Sequence, residues 1–101
     1  MDERQYQFEW DDVKAAANVL KHRITFELAS TIFADPGLLT VADLEHSAIE
    51  ERWFSIGLAS DGKILCIAYL WSESEPLVTK VRLISARRAT STEISHYGMN
   101  R

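Results

Sequence analysis

The chain has 101 residues, 47% of them hydrophobic, with a formal net charge of −4 and one cysteine. That length is one domain's worth, and the composition is globular, which excludes a disordered or multidomain chain. A lone cysteine, Cys66, excludes an internal disulfide framework and suits a reducing cytosol; no apolar run approaches the ~20 residues that span a bilayer, and no basic-plus-apolar leader opens the chain, so a cytoplasmic protein without a membrane is expected.

Phe8, Glu9 and Trp10 read as a short extended lead-in, with Asp11 as the N-cap of a helix over residues 12–22. Val13, Ala16, Ala17 and Leu20 recur in it at helical spacing, and Lys21 and His22 sit in its last turn, where positive charge complements the helix dipole. Thr25 caps a second helix that carries Phe26, Ala29, Ile32 and Phe33 on one face. The Asp35-Pro36-Gly37 turn ends it.

Beyond Leu38 the period shifts towards two. Residues 38–41 are an edge-strand candidate, followed by a polar loop over 42–50. Residues 51–58 alternate as a half-buried strand does. Asp61-Gly62 is a hairpin turn signal, and the nearly continuous apolar stretch 64–71 reads as a central strand. A polar loop over 72–76 leads to a last strand over 80–86. Thr90 and Glu93 then have capping-box spacing for a short C-terminal helix. The expected fold is α+β, with two N-terminal helices, a four-stranded antiparallel sheet and one short C-terminal helix.

Charge is unevenly distributed. Residues 1–75 hold 14 acids and 6 bases, whereas residues 76–101 hold 1 acid and 5 bases. Arg82, Arg87 and Arg88 crowd the last strand and its end, and a guanidinium fork offers paired donors to phosphate oxygens. The competing reading is a set of surface arginines paired with carboxylates. Alternation puts Arg82 with Ile84 and Ala86 on one face and Arg87 with Leu83 and Ser85 on the other. The three histidines and one cysteine lack zinc-ligand spacing, so neither a metal nor another cofactor is expected.

Four stretches resemble the BrnT family of bacterial ribonuclease toxins: FEWDDVKAAANVLKHR (residues 8–23), FELASTIFADP (26–36), ERWFSIG (51–57) and ISARRAT (84–90). Together, in this order, they are spread over most of the chain, from residue 8 to residue 90. The resemblance implies one toxin domain over residues 1–101 with a RelE-like fold. It implies an endoribonuclease of a type II toxin–antitoxin system, and a BrnA-type ribbon-helix-helix antitoxin as partner in a hetero-oligomer that reaches operator DNA indirectly. The chain departs from the family between its last two strands. There the segment 71–80 is longer and brings in Glu73 and Glu75.

On that reading RNA is cut by attack of the 2′-hydroxyl, which needs a base, an acid and positive charge on the phosphorane. Arg82 and Arg87 hold the phosphate, with Arg88 flanking them. His22 is the imidazole that moves a proton, Lys21 or Arg52 stabilises developing charge, and Glu51 offers an alternative base. Trp53 is a candidate for base stacking. Each residue also has a plainer role: helix-end charge for Lys21 and His22, a salt-bridged turn for Glu51 and Arg52, core packing for Trp53. Two further functions compete: an interaction protein with weak or lost catalysis acting as corepressor with its antitoxin, and a stand-alone RNA-binding module, which the acidic body disfavours.

Overall fold

The computed structural model describes residues 5–42 and 52–100. The elements are β1 (Gln5–Glu9), α1 (Asp12–His22), α2 (Phe26–Ser30) running into a 3-10 turn (Thr31–Ala34), β2 (Leu39–Ala42), β3 (Arg52–Leu58), β4 (Ile64–Glu75), β5 (Val78–Arg88) and α3 (Ser91–Asn100). Both N-terminal helices start where capping chemistry dictates. The Asp11 carboxylate accepts the Lys14 N–H at 3.1 Å, and the Thr25 hydroxyl accepts that of Leu28 at 3.1 Å.

The sheet has five strands in the order β1-β5-β4-β3-β2, not four, and it is mixed rather than antiparallel. The extra strand is the lead-in, which pairs parallel to β5 from Gln5↔Val78 to Glu9↔Arg82. Five residues with a half-buried Phe8 carry little local signal, and the partner lies some seventy positions away. The supposed loop 72–76 is also strand: β4 continues to Glu75, and β5 begins at Val78 after a turn at Pro76-Leu77. The polarity that suggested a loop reflects exposure, since Ser72, Glu73 and Glu75 all face water. The Asp61-Gly62 turn forms as expected, with Gly62 at φ 86° and the Asp61 carboxylate accepting the Lys63 N–H at 3.0 Å.

One sheet face is covered by α1, α2 and the 3-10 turn. Ile24, Phe26, Ala29, Ile32, Leu65, Ile67, Tyr69, Val81, Leu83 and Ala86 form its buried core. Gly57 lets the chain approach closely on this face: a Cβ there would stand 2.8 Å from Leu38 Cδ1 and 3.0 Å from Ile32 Cβ. Below the 3-10 turn a chain of hydroxyls joins three strands, Thr40 to Ser55 at 2.9 Å and Ser55 to Tyr69 at 2.6 Å. The other face is covered at one end by α3, through Tyr97 packed on Ile56 and Cys66. Tyr97 is held there by its hydroxyl, which donates to Asp35 Oδ2 at 2.5 Å. Asp35 also accepts the Leu58 N–H at 2.8 Å and the Gly37 N–H at 2.9 Å, so one carboxylate ties together the α2 exit, β3 and α3.

Because β1 ends opposite Arg82, the edge of β5 beyond that point needs another partner. Asn18 of α1 supplies it. Its carboxamide oxygen accepts the Ala86 N–H at 3.0 Å while its nitrogen donates to Ala86 O at 2.9 Å and to Ile24 O at 2.9 Å. A side chain thus stands in for the missing strand residue and fixes α1 against β5. The consequence for α1 is unusual: polar Asn18 faces inwards while Val13, Ala16, Ala17 and Leu20 face water.

Candidate nucleic-acid interface

β5 decides which basic groups share a face. Tyr69 pairs with Leu83 and Ala68 with Ser85, so Ile84 is an extra, bulged residue. The bulge reverses the alternation expected from sequence. Ala86 joins Val81 and Leu83 in the core on the helix side, while Arg82 and Arg87 both lie on the α3 side. Strand register extends this row: Glu9 is opposite Arg82, Arg82 opposite Leu70, and Leu70 opposite Arg52. Arg52 and Arg82 therefore stand on the same face two strands apart, about 10 Å between backbones.

These cations differ in how firmly they are held. Arg82 is close to half exposed and 3.9 Å from Glu9, itself half exposed; such a surface pair is worth little and yields readily to a stronger anion. Arg87 is engaged on both arms, Nη1 to Glu93 Oε1 at 2.7 Å and Nη2 to Glu93 Oε2 at 2.9 Å. Glu93 simultaneously closes the capping box of α3, accepting the Thr90 N–H at 2.8 Å while Thr90 Oγ1 accepts the Glu93 N–H at 3.2 Å. The Arg87 guanidinium is the main reason the Glu93 carboxyl titrates at about 2, far below its ordinary range, and Glu93 in turn raises Arg87. Arg87 is thereby a clamp between β5 and α3 as well as a cation. Beside it, burial pushes the Cys66 thiol up to about 11 despite the opposing pull of Arg87, so this cysteine stays protonated and unreactive at neutral pH.

Not every candidate joins this row. Trp53 lies on the helix face, partly buried against the core, on the opposite side of the sheet from Arg52 and Arg82. It lines a small cavity with Thr40 and Trp71, and its buried indole N–H has no hydrogen-bond acceptor. Arg88 is exposed beyond the clamp and borders a shallow hollow shared with Lys63, Ile64 and Ile94. Lys21 is exposed and His22 half-buried at the C-terminal end of α1, one turn past Asn18, whose bonds to Ala86 hold that helix end beside β5 just before Arg87. Glu51 lies outside the described residues. Glu73 and Glu75 separate: the first is opposite Thr79, on the helix side, and the second is opposite Val78 at the hairpin tip, four residues from Arg82.

Sequence reasoning passed over Asn18 and Asp35, which position this surface. Asn18 had a signal available, a polar residue on the face that packs inwards. Asp35 was legible as a turn residue, and its link to Tyr97 was not. Among the described residues no group of three or more His, Cys, Asp or Glu is arranged to hold a metal ion, and no helix is long and apolar enough to cross a membrane.

Residues 10–93 match the family model described as the ribonuclease toxin BrnT of a type II toxin–antitoxin system. The chain belongs to the BrnT family. Membership brings with it a ribonuclease-toxin role and an antitoxin partner. The fold agrees: the 1.1 Å crystal structure of the Brucella abortus ribonuclease toxin BrnT superposes with a TM-score of 0.62 at 19% identity, over 86% of this chain and all of that one. No curated protein sequence matches. In this BrnT-family chain the matched region runs from Trp10 to Glu93, so it takes in the whole of α1, the arginine row and the α3 capping box, and stops short of β1.

Proposed function

We propose that this chain is a RelE-like endoribonuclease toxin of the bacterial cytoplasm, a single domain over residues 1–101, that cleaves RNA by attack of a 2′-hydroxyl on the adjacent phosphorus. The P–O5′ bond breaks as the 2′ oxygen bonds to phosphorus, leaving a 2′,3′-cyclic phosphate and a 5′-hydroxyl. The observation that carries this reading is the shared face of Arg52 and Arg82, created by strand register through Leu70. Two guanidinium groups on one face suit the non-bridging oxygens of a phosphate whose charge grows in the transition state. Arg87 adds positive potential while clamped by Glu93, and Arg88 extends the basic surface towards Lys63. His22 is the proposed proton carrier, with Lys21 beside it as a charge donor and Glu51 as the alternative base. Trp53, on the far face, has no part in this scheme. Cleavage of messenger RNA stops translation, and a BrnA-type ribbon-helix-helix antitoxin relieves it.

The test is cleavage of a defined RNA by purified, antitoxin-free protein. Wild type is expected to yield cyclic-phosphate ends, and Arg52→Ala with Arg82→Ala to lose at least a hundredfold in rate, about 2.7 kcal/mol of transition-state stabilisation. Wild-type protein that leaves RNA intact overturns the reading. A specific observation favours the second reading, a catalytically weak partner acting as corepressor in an operator complex. The carboxylates of Glu93 and Glu9 already sit on Arg87 and Arg82. Under that reading the double variant leaves repression of the operator unchanged.

A further inference from the structure

The helix α1 is built inside out. Its sheet-facing side presents Ala15, Asn18 and half-buried His22, whereas Val13 is 76% and Leu20 83% exposed, with Ala16 and Ala17 exposed between them. These four residues stand at i, i+3, i+4 and i+7, the spacing of one continuous stripe. Burial in the fold does not explain that stripe, since the helix meets the sheet through Asn18 and Ala15 on its other side. Lys14 and Lys21, seven residues apart and both exposed, run along one edge of it. On a protein of net charge −4, an apolar seam bordered by two lysines is complementary to one kind of surface.

We infer that the Val13–Ala16–Ala17–Leu20 face of α1 docks an amphipathic helix of a partner protein whose apolar ridge is flanked by acidic residues, and that this partner is the antitoxin. The inference rests on the toxin–antitoxin reading of the chain for the partner's identity. The small Ala16 and Ala17 let a second helix approach closely, with Leu20 and Val13 as anchors at either end. Acidic side chains on the incoming helix pair with Lys14 and Lys21. Docking there covers Lys21 and crowds the adjacent His22, so binding and neutralisation follow from one contact. A second copy of this chain fits poorly: a two-fold antiparallel pair of α1 helices brings the Lys14–Lys21 edge of one copy beside the same edge of the other, and like charges oppose each other.

The experiment measures binding of the co-encoded antitoxin to the full chain by calorimetry. Wild type is compared with Val13→Glu plus Leu20→Glu, and with Lys14→Glu alone. The substituted residues are exposed, and circular dichroism and thermal melts check that each variant is folded. The apolar double variant is expected to weaken binding at least a hundredfold, and Lys14→Glu about fivefold, which is about 1 kcal/mol. RNA cleavage by either free variant is expected to equal wild type. Unchanged affinity in the folded double variant overturns the inference. So does a concentration-dependent dimer of the toxin alone, or binding to phosphatidylglycerol vesicles, if either is lost in that variant. Wild-type toxin that cuts no RNA counts against the ribonuclease reading only, because the affinities still decide the docking face.

Discussion

Asn18 carries more than its size suggests. It satisfies the N–H and C=O of Ala86 and the carbonyl of Ile24 with one buried carboxamide. Asn18→Ala leaves a backbone donor and two acceptors in a buried site, and a loss of about 2–4 kcal/mol is expected in chemical denaturation. Asn18→Leu is expected to do no better, since packing cannot replace the pairing. Glu93 gives a second residue-scale prediction. Its carboxyl titrates at about 2 in the fold against 4.5 in the unfolded chain. A depressed carboxyl contributes stability that is fully present above about pH 5 and is lost as pH falls towards 2. Because the Arg87 side chain is more than a third exposed, screening holds the contribution to about 1 kcal/mol. Urea melts from pH 6 to pH 2.5 should show that slope in wild type and a flatter one in Glu93→Gln.

At the level of elements, β3 and the 3-10 turn meet so closely at Gly57 that an added methyl would crowd Ile32 and displace Leu38. Gly57→Ala is expected to cost about 1–3 kcal/mol through overpacking, despite an alanine being ordinary in a strand. Calorimetric melting checks it. Legibility of elements followed how local their causes are. Capping at Asp11, Thr25 and Thr90 and the Asp61-Gly62 turn could be read because donor and acceptor lie within a few residues of one another. Phe26, Ala29 and Ile32 were legible as a core face because helical period and burial coincide there. β1 escaped because its partner, Val78–Arg82, lies some seventy residues away, and the Ile84 bulge escaped because period-two counting assumes an unbroken pleat. That one residue moved Arg87 from the face opposite Arg82 to the same face, so the arginines could be named from sequence but not grouped. Trp53 could be read as core or as a stacking ring, and only register with Tyr69 put it on the helix side.

For the whole molecule, a small basic row on an acidic body sets how the proposed RNA binding is expected to respond to salt. Three clustered arginines engage few phosphates, so the slope of log K against log salt should be shallow, about −2 for a single strand with roughly three contacts. Anisotropy of a non-cleavable 2′-deoxy oligonucleotide measures it. A slope near zero, or one several times steeper, would be at odds with the proposed interface. An acidic body repels RNA elsewhere, so the proposed binding is expected only on the side of the sheet where Arg52 and Arg82 stand.

The parallel pairing of β1 with β5 also bears on how such a protein comes into being. Gln5–Glu9 is made before the strand it docks against, which is translated some seventy residues later. At bacterial elongation rates that is a wait of roughly 4–15 s. Until Val78–Arg82 emerges the nascent chain lacks both its closing strand and the arginines carried on it. A sheet assembled in this way stays open along β1 until Val78–Arg82 is made, which leaves a binding partner time to meet the new chain.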